Sequence, residues 1–598
     1  MPELLAPYIP EDAPFNNAQR AWLNGYLAGL YSYAPAKIFG GTASALRVAV
    51  LYGSQTGTAE GLARKLVKEL KAAGYTVSLN SLEGYVPATL AAETCALFIV
   101  STYGEGEAPD CVQPFFQHLC VQHFPLLGDL SYAIFALGDS NYEDFCQFGK
   151  DLDAKLSGLG ATCLLPRTDS DVEVDAPYAG WKEAIGKKLR ELASPAIVEH
   201  TATTLNGEGS PTGIQAQASQ TVAQKHSREN PYLSPLTEKR ALTHPSSSKL
   251  TMHLDFAIED TALQYEAGDA CGIIPQNCPA LVDTILGSSP FSGDEVVEVP
   301  KLGKLTLREG LLRHFAITRI TRKMISEFAA LTQSKQLTSL LAPDQQSELE
   351  RYVHGRDVAD LLQQYPGALQ EAADLVKLLP RLVPRLYSIS SSPAAHAGRI
   401  HTTVSVVRYR THDRERGGVC STLLADRIEP GDRLPLYIQP NKKFRLPQDP
   451  SAPVIMVGPG TGIAPFRAFL HERRAAGATG RNWLFFGERS ASTDFLYRDE
   501  LEQMRGDQHL TQLDTAFSRD QEHKIYVQDL MMQNARQVWR WLEDNAFIYV
   551  CGDATRMAKD VDRTLHKIVE EQGAMPQDAA ESYVQALKDG RRYQRDVY

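Results

Sequence analysis

The sequence predicts a multidomain chain in which an α/β domain, an antiparallel β-barrel with a helical insertion and a second α/β domain follow one another. Three observations predict it. From Arg47 a strand, a hydroxyl-rich turn and an amphipathic helix run in succession. The middle of the chain alternates with period two on either side of a Leu-rich helical stretch. Further on, a glycine-rich loop, Gly458-Pro-Gly-Thr-Gly-Ile-Ala-Pro-Phe466, opens a helix directly after the strand Val454 to Val457.

A length of 598 residues leaves room for roughly three to five domains, each able to bury a core. The net charge of -11 and a pI near 5.8 argue against a nucleic-acid binder and fit a partner with a basic surface. Nine scattered cysteines without a C-x-x-C pair predict neither a disulfide framework nor a metal or cluster site, and they fit a reduced, cytoplasmic compartment. No basic-then-apolar leader stands at the N-terminus, and no run approaches the ~20 apolar residues of a membrane span. A soluble, unanchored chain is expected.

Residues 1–45 contain Trp22, Tyr26 and Leu30 at helical spacing, a short helix that either packs on the body or mediates assembly. The first domain, 46–195, begins with the strand Arg47 to Tyr52 and the turn Gly53 to Thr58. The helix Ala59 to Ala73 follows, with Ala59, Leu62, Ala63, Leu66, Val67 and Leu70 on one face. Ser54, Gln55, Thr56, Gly57, Thr58 and Ala59 thus bring hydroxyls and helix N-terminal N–H groups around an anion, without the lysine of a P-loop. Two further strand-to-loop transitions end in Ser101, Thr102, Tyr103 and Gly104 and in Leu137, Gly138, Asp139, Ser140, Asn141, Tyr142, Glu143, Asp144, Phe145 and Cys146. In a doubly wound sheet all three loops emerge at one carboxyl edge, where Tyr103 and Tyr142 sandwich a planar ring. A monophosphate with one flat ring is FMN. Glu105, Glu107, Asp110, Glu143, Asp144, Asp171, Glu173 and Asp175 fall on or near these loops, as a solvated rim or as a docking surface for a basic acceptor.

The stretch 196–226 is rich in Thr, Gly, Ser and Gln and reads as a flexible linker reaching on the order of 25 to 30 Å. The barrel domain, 227–450, opens with strands such as Leu250 to Phe256, gives way to a helical insertion at about 276–380 (Leu305 to Phe315, Val358 to Leu379), and resumes at Arg385. On that strand Arg385 and Tyr387 share a face, a guanidinium for a pyrophosphate beside a ring for a flavin, while Leu386 and Ser388 take the other. Such a pair suits FAD. A strand from His401 to Tyr409 and a turn Gly417, Gly418, Val419, Cys420, Ser421 follow, the glycines letting backbone N–H groups approach the pyrophosphate.

In the last domain, 451–598, Ser518, Arg519, Lys524, Ile525, Tyr526, Val527 and Gln528 supply a hydroxyl, two cations and an aromatic after a strand. This set suits an adenosine 2'-phosphate, so NADPH is the inferred donor. Ile548 to Asp553, with Cys551, ends a later strand in the nicotinamide region, and Asp560 lies on the next helix. The chain ends Arg592-Tyr-Gln-Arg-Asp-Val-Tyr598, and a terminus of this kind ordinarily frays.

With these motifs in order, residues 46–195 resemble a flavodoxin-like FMN domain and the remainder a ferredoxin-NADP reductase-like FAD barrel with an α/β NADPH domain. Residues 46–598 together resemble the diflavin reductases. The segment AQRAWLNGYLAGL, the core GPGTGIAPFRAFL with NWLFFGERS, and the ending RRYQRDVY make the chain similar to the branch that serves bacterial NADPH-sulfite reductases. Tyr103 departs from the glutamine expected in that branch, and the Gly417 to Ser421 region is shifted by a residue. The resemblance implies FAD contacts at Thr318, Thr403, Val404, Ser405 and Tyr409, assistance to hydride transfer by Ser388, Cys551 and Asp596, and a gating ring at Tyr598. It also implies electron flow from NADPH through FAD and FMN to a sirohaem and iron-sulfur haemoprotein subunit that reduces sulfite to sulfide. The alternatives are the same relay serving a haem monooxygenase or a flavodoxin-like carrier, and a passive FMN-binding interaction protein.

Overall fold

The computed structural model describes residues 47–54, 57–102, 106–109, 112–121, 124–138, 144–171, 174–193, 226–260, 263–300 and 302–598. The helix expected around Trp22, the linker short of His226, and Gln55, Thr56, Tyr103, Gly104, Asp139, Ser140, Asn141, Tyr142 and Glu143 lie outside the described residues, as do Glu105, Asp110 and Glu173.

The first sheet is parallel, in the order Thr76–Ser81, Arg47–Gly53, Cys95–Ser101, Ser131–Leu137 and Thr162–Cys163, with Thr168–Ser170 also pairing on Ser131–Leu137. Its central strands are continuously apolar because helices cover both faces. Val48 and Val50 pack with the helices Thr58–Ala72 and Asp175–Ala193, whereas Ala49 and Leu51 pack with Gln113–Leu119 and Gln147–Gly158. The loops after Gly53, Ser101 and Leu137 therefore share one carboxyl edge.

The second sheet is antiparallel, in the order Arg385–Ser388, Ala270–Ile273, Arg433–Gln439, Tyr232–Ala241, Leu250–Ala257 and Arg399–Val406. A bridge between Ile389 and Thr402 joins its two edges and closes the barrel. The chain between Ile273 and Arg385 forms seven helices from Pro279–Gly287 to Ala372–Leu378 and a hairpin, Val296–Val299 with Gly303–Thr306, over a core of its own.

Three local readings of this region change. Leu305 lies in the hairpin, and the helix starts at Leu307 because the Thr306 hydroxyl accepts the Glu309 N–H at 3.2 Å. The helix expected over 358–379 is two, Val358–Gln364 and Ala372–Leu378, separated by Pro366 and a left-handed Gly367. The strand expected from His401 to Tyr409 breaks at Val407, whose N–H bonds the Ser421 hydroxyl and whose carbonyl accepts the Gly418 N–H. Arg408–Thr411 then pairs with Arg414–Gly417 through a turn with His412 and Asp413 both left-handed. Arg414 and Arg416 fix this hairpin to Asp357 and Asp360 at the start of the helix Val358–Gln364.

The third sheet is parallel, in the order Gln512–Phe517, Asn482–Glu488, Val454–Val457, Phe547–Gly552 and Tyr593–Val597. The C-terminus does not fray. Tyr593 and Val597 are buried, and Arg592 donates to the carbonyls of Leu542 and Ala546. The barrel docks on this module through Lys249 and Glu488 and through Arg467, which donates to the Ser390 carbonyl at 2.8 Å. Ion pairs from Lys443 to Glu83 at 3.0 Å and from Lys559 to Glu107 at 2.6 Å bring in the first module. A cleft of 1470 Å³ lies beside the second pair, lined by the helices Gln113–Leu119, Met557–Gln572 and Gln577–Asp589.

Candidate active site

Parallel pairing of the last two strands places Cys551 opposite Asp596. The barrel strand Arg385–Ser388 then meets them edge on. Ser388 Oγ donates to Asp596 Oδ2 at 3.0 Å, Cys551 Sγ lies 3.9 Å from the same oxygen, and Asn441 Nδ2 donates to Asp596 Oδ1 at 3.2 Å. Withdrawal from water pushes the Asp596 carboxyl above the ordinary carboxylate range, against the lowering effect of Ser388 and Cys551. Burial, then the Asp596 charge, pushes the Cys551 thiol well up, so Cys551 is a neutral, polarizable thiol and not a nucleophile. Tyr598 is 59% exposed at the rim of this group, its hydroxyl 3.0 Å from Thr461 Oγ1 and its N–H on the Gly552 carbonyl.

The glycine-rich loop supports the same place from below. A Cβ on Gly462 would lie 2.1 Å from the Cys551 carbonyl oxygen, so only glycine lets the helix Ile463–Ala475 approach this strand end. On the outer edge, Ser518 and Arg519 follow the strand Gln512–Phe517 and are held by N–H bonds to the carbonyls of Glu488 and Arg489. Arg519, Lys524 and Tyr526 are exposed there, available to a phosphate and a purine. Ile525 and Gln528 are half-buried, and Val527 turns into the core at the start of its helix. Asp560 sits in the first turn of Met557–Gln572, 3.3 Å from Arg563.

On the barrel, Arg385 and Leu386 are exposed, while Tyr387 packs partly on the barrel core beside Cys271 and Cys420; burial pushes its phenol well up. The Gly417 to Ser421 turn is a pairing residue followed by the short helix Val419–Thr422. The Gly418 N–H is used by Val407, and a Cβ there would lie 2.6 Å from Ser421 Oγ, so this glycine serves packing and its N–H does not face an anion. Thr403 Oγ1 bonds the Tyr497 hydroxyl at 2.7 Å, Val404 is core, Ser405 and Tyr409 are exposed, and half-buried Thr318 lies between the helices Leu307–Arg313 and Arg322–Thr332.

At the first sheet's carboxyl edge, Ser54 Oγ accepts the Gly57 N–H at 2.9 Å, and Gly57 is left-handed ahead of Thr58. Ser101 Oγ donates to the Gly53 carbonyl at 3.3 Å. Thr102 Oγ1 is withdrawn from water without a partner among the described residues, which suits a ligand bound against this edge. A Cβ on Gly138 would lie 2.8 Å from the Cys146 nitrogen, so only glycine lets this strand end stand against Phe145 and Cys146. Ala59, Leu137 and Cys146 face the core, and burial pushes the Cys146 thiol up to about 12.

Two residues of this group were not singled out as site residues from the sequence. Asn441 stands in the loop after Arg433–Gln439 and Thr461 in the glycine-rich loop, and only their partners mark them. No described helix is long and apolar enough to cross a membrane.

Family comparisons agree with this layout. A flavodoxin model matches residues 50–193, an FAD binding domain model 224–423 and an oxidoreductase NAD-binding domain model 456–563. The fold and these modules define an oxidoreductase that binds FMN, FAD and NADPH on one chain. The chain is 41% identical to the sulfite reductase [NADPH] flavoprotein alpha-component of Bacillus subtilis (strain 168), over 100% of this chain and 98% of the relative. It is 41% identical to that of Vibrio cholerae serotype O1 (98% and 94%) and 40% to that of Serratia proteamaculans (100% and 98%). It belongs to the family of sulfite reductase [NADPH] flavoprotein alpha-components.

Proposed function

We propose that the chain is the electron-supplying flavoprotein of an NADPH-dependent sulfite reductase. When bound, FAD takes a hydride from NADPH, and FMN passes the electrons on singly to a sirohaem and iron-sulfur haemoprotein subunit that reduces sulfite to sulfide. The observation that carries the reading is the convergence of Ser388, Cys551 and Asp596, from three separate strands of two modules, under the terminal Tyr598.

Ser388 orients Asp596, and the Asp596 carboxylate stabilises positive charge developing on a nicotinamide ring. Cys551 gives that ring a polarizable, uncharged wall. Tyr598 covers the site, held by Thr461 and Gly552, and swings out to admit the nicotinamide. Arg385 neutralises a pyrophosphate. Arg519, Lys524 and Tyr526, with Ser518, select the 2'-phosphate of NADPH. Ser54, Gly57 and Thr58 cradle a monophosphate, and Thr102 donates to the ring at the same edge.

Residues 1–45 are proposed as the element of homo-oligomer assembly, and the cytoplasm as the compartment. The acidic residues beside the FMN edge, Glu107 and Asp144 among them, are proposed to meet the haemoprotein.

The test mixes the flavin-loaded chain with NADPH and a sirohaem sulfite reductase subunit. About three NADPH consumed per sulfide, as six electrons require, is the expected result. NADPH consumed with cytochrome c reduced but no sulfide formed would keep the relay and reject sulfite reduction in favour of a haem monooxygenase or flavodoxin-like acceptor.

A further inference from the structure

The two oxygens of Asp596 are held by different groups. Ser388 donates to Oδ2, beside Cys551, and Oδ1 is held from the opposite side by Asn441 Nδ2 at 3.2 Å. Asn441 belongs to neither strand end of the site, yet it is tightly framed. Its backbone N–H donates to Asp269 Oδ1 at 2.9 Å, and its own Oδ1 accepts the Lys443 N–H at 3.3 Å. Asp269 is ion-paired with Arg445, and its carbonyl accepts the N–H of Ile389, the residue after Ser388. One aspartate thus frames both barrel donors that reach Asp596, Asn441 directly and Ser388 through its neighbour Ile389, so the carboxylate is gripped by two arms of a single frame on the barrel.

We propose that Asn441 is a positioning residue for hydride transfer, holding Asp596 Oδ1 so that Oδ2 stays turned to Ser388 and the reacting face. The inference rests on the reading that Ser388, Cys551 and Asp596 form the hydride-transfer site. An amide N–H aimed at a carboxylate favours its charged form, which matters where burial works against that form. The ionisable groups that face Asp596 are Cys551 and Tyr598, both neutral over the working range, with the Asp269–Arg445 pair behind Asn441. None of them replaces the lost donor.

Asn441→Asp keeps the shape and the acceptor for the Lys443 N–H, loses the amide donor and adds a like charge beside Asp596, so the uncharged Asn441→Leu carries the test. Asn441→Leu removes both donor and acceptor, and Asn441→Gln restores an amide. Rapid-mixing reduction of the flavin-loaded chain by NADPH, with and without deuterium at the transferred position, is followed against pH. Infrared difference spectra of the same proteins follow the Asp596 carboxyl, recognised by its loss in Asp596→Asn. In Asn441→Leu the acid limb of the flavin-reduction profile and the infrared titration move up together by about one pH unit. The rate then falls about tenfold on the acid side, and the half-saturating NADPH concentration does not change. Asn441→Asp, with its added charge, shifts the limb further in the same direction, and Asn441→Gln moves it back.

An unmoved limb in Asn441→Leu, or slowing by the same factor at every pH, overturns the positioning role. If Asp596→Asn itself leaves the rate and the isotope effect unchanged, the site reading fails instead. An Asn441→Leu that slows the enzyme further in an Asp596→Asn background also overturns the inference, since Asn441 then acts by another route.

Discussion

Ser388 and Asp596 stand 208 residues apart in the chain and 3.0 Å apart in space, joined by a hydrogen bond between the barrel and the last strand. The bond makes the C-terminal strand a wall of the barrel's site. It also explains why a chain end that sequence rules expect to fray is instead paired along Tyr593–Val597.

Ser388→Ala removes the donor that orients Asp596 and leaves the packing intact. Flavin reduction by NADPH is expected to slow by about tenfold to a hundredfold, with a larger deuterium isotope effect and unchanged NADP+ affinity. Rapid-mixing absorbance measures the first two and calorimetry the third. An unchanged rate would remove Ser388 from the site.

On the proposed reading Tyr598 shields the place the nicotinamide enters, and displacing its ring then costs binding energy. Tyr598→Ala removes that cost, and NADP+ is expected to bind about tenfold more tightly while its release slows. Titration calorimetry and the steady-state inhibition constant check both parts. Weaker binding would show that the ring supports the nucleotide and does not gate it.

Gly462→Ala puts a methyl against the Cys551 carbonyl, where the gap is 2.1 Å and the obstacle is backbone. The third module is expected to lose about 1–3 kcal/mol of stability, together with nucleotide affinity. Gly477→Ala is the control, since nothing lies within 4 Å of its Cβ position; its left-handed φ of 65° adds strain without a clash at the nucleotide edge. Denaturant unfolding and NADP+ titration separate the two.

The barrel and the third module share a buried histidine cluster. His253 lies 3.0 Å from the Tyr497 hydroxyl, and His401 Nδ1 is 3.1 Å from Arg467. Burial, with Arg467 and His401 nearby, lowers His253 to about 3. Burial, with His401 and Arg467, lowers His396 to about 4. Both are neutral in the folded protein and bind a proton near pH 6.5 when unfolded, so their contribution is complete above that value and is lost as pH falls below it. His253 alone gives a slope approaching 1.4 kcal/mol per pH unit between about pH 6 and 4. Glu500, held down to about 2 by His471 and Arg467 against its own burial, and Asp255, held below its usual range by His401 and Arg399 against burial, contribute only at lower pH. Urea unfolding of the wild type and His253→Gln between pH 7 and 5 is expected to show a flatter dependence in the variant.

The modules and their order were legible in the sequence because each rests on a local rule. Continuous apolar strands such as Cys95–Ser101, the period-3.6 face of Thr58–Ala72 and the glycines ahead of Ile463–Ala475 all report their geometry within a dozen residues. Errors arose where a distant partner ended an element: Ser421 at Val407 and the paired hairpin at Leu305. Gly418 looked like a phosphate-binding glycine, and its N–H and its missing Cβ both serve contacts inside the barrel.

By itself, then, the sequence determined three nucleotide-type modules and the residue types at their loop edges, among them the exposed cations Arg519 and Lys524 proposed to meet a 2'-phosphate. Tertiary structure alone decided that Ile389 meets Thr402 to close the barrel, that Asp596 faces both Ser388 and Asn441, and that Arg467 reaches into the barrel to Ser390. Local patterns fix which face of a strand or helix a residue occupies. Which distant side chain stands opposite depends on how whole cores pack, and no periodicity within one segment carries that information.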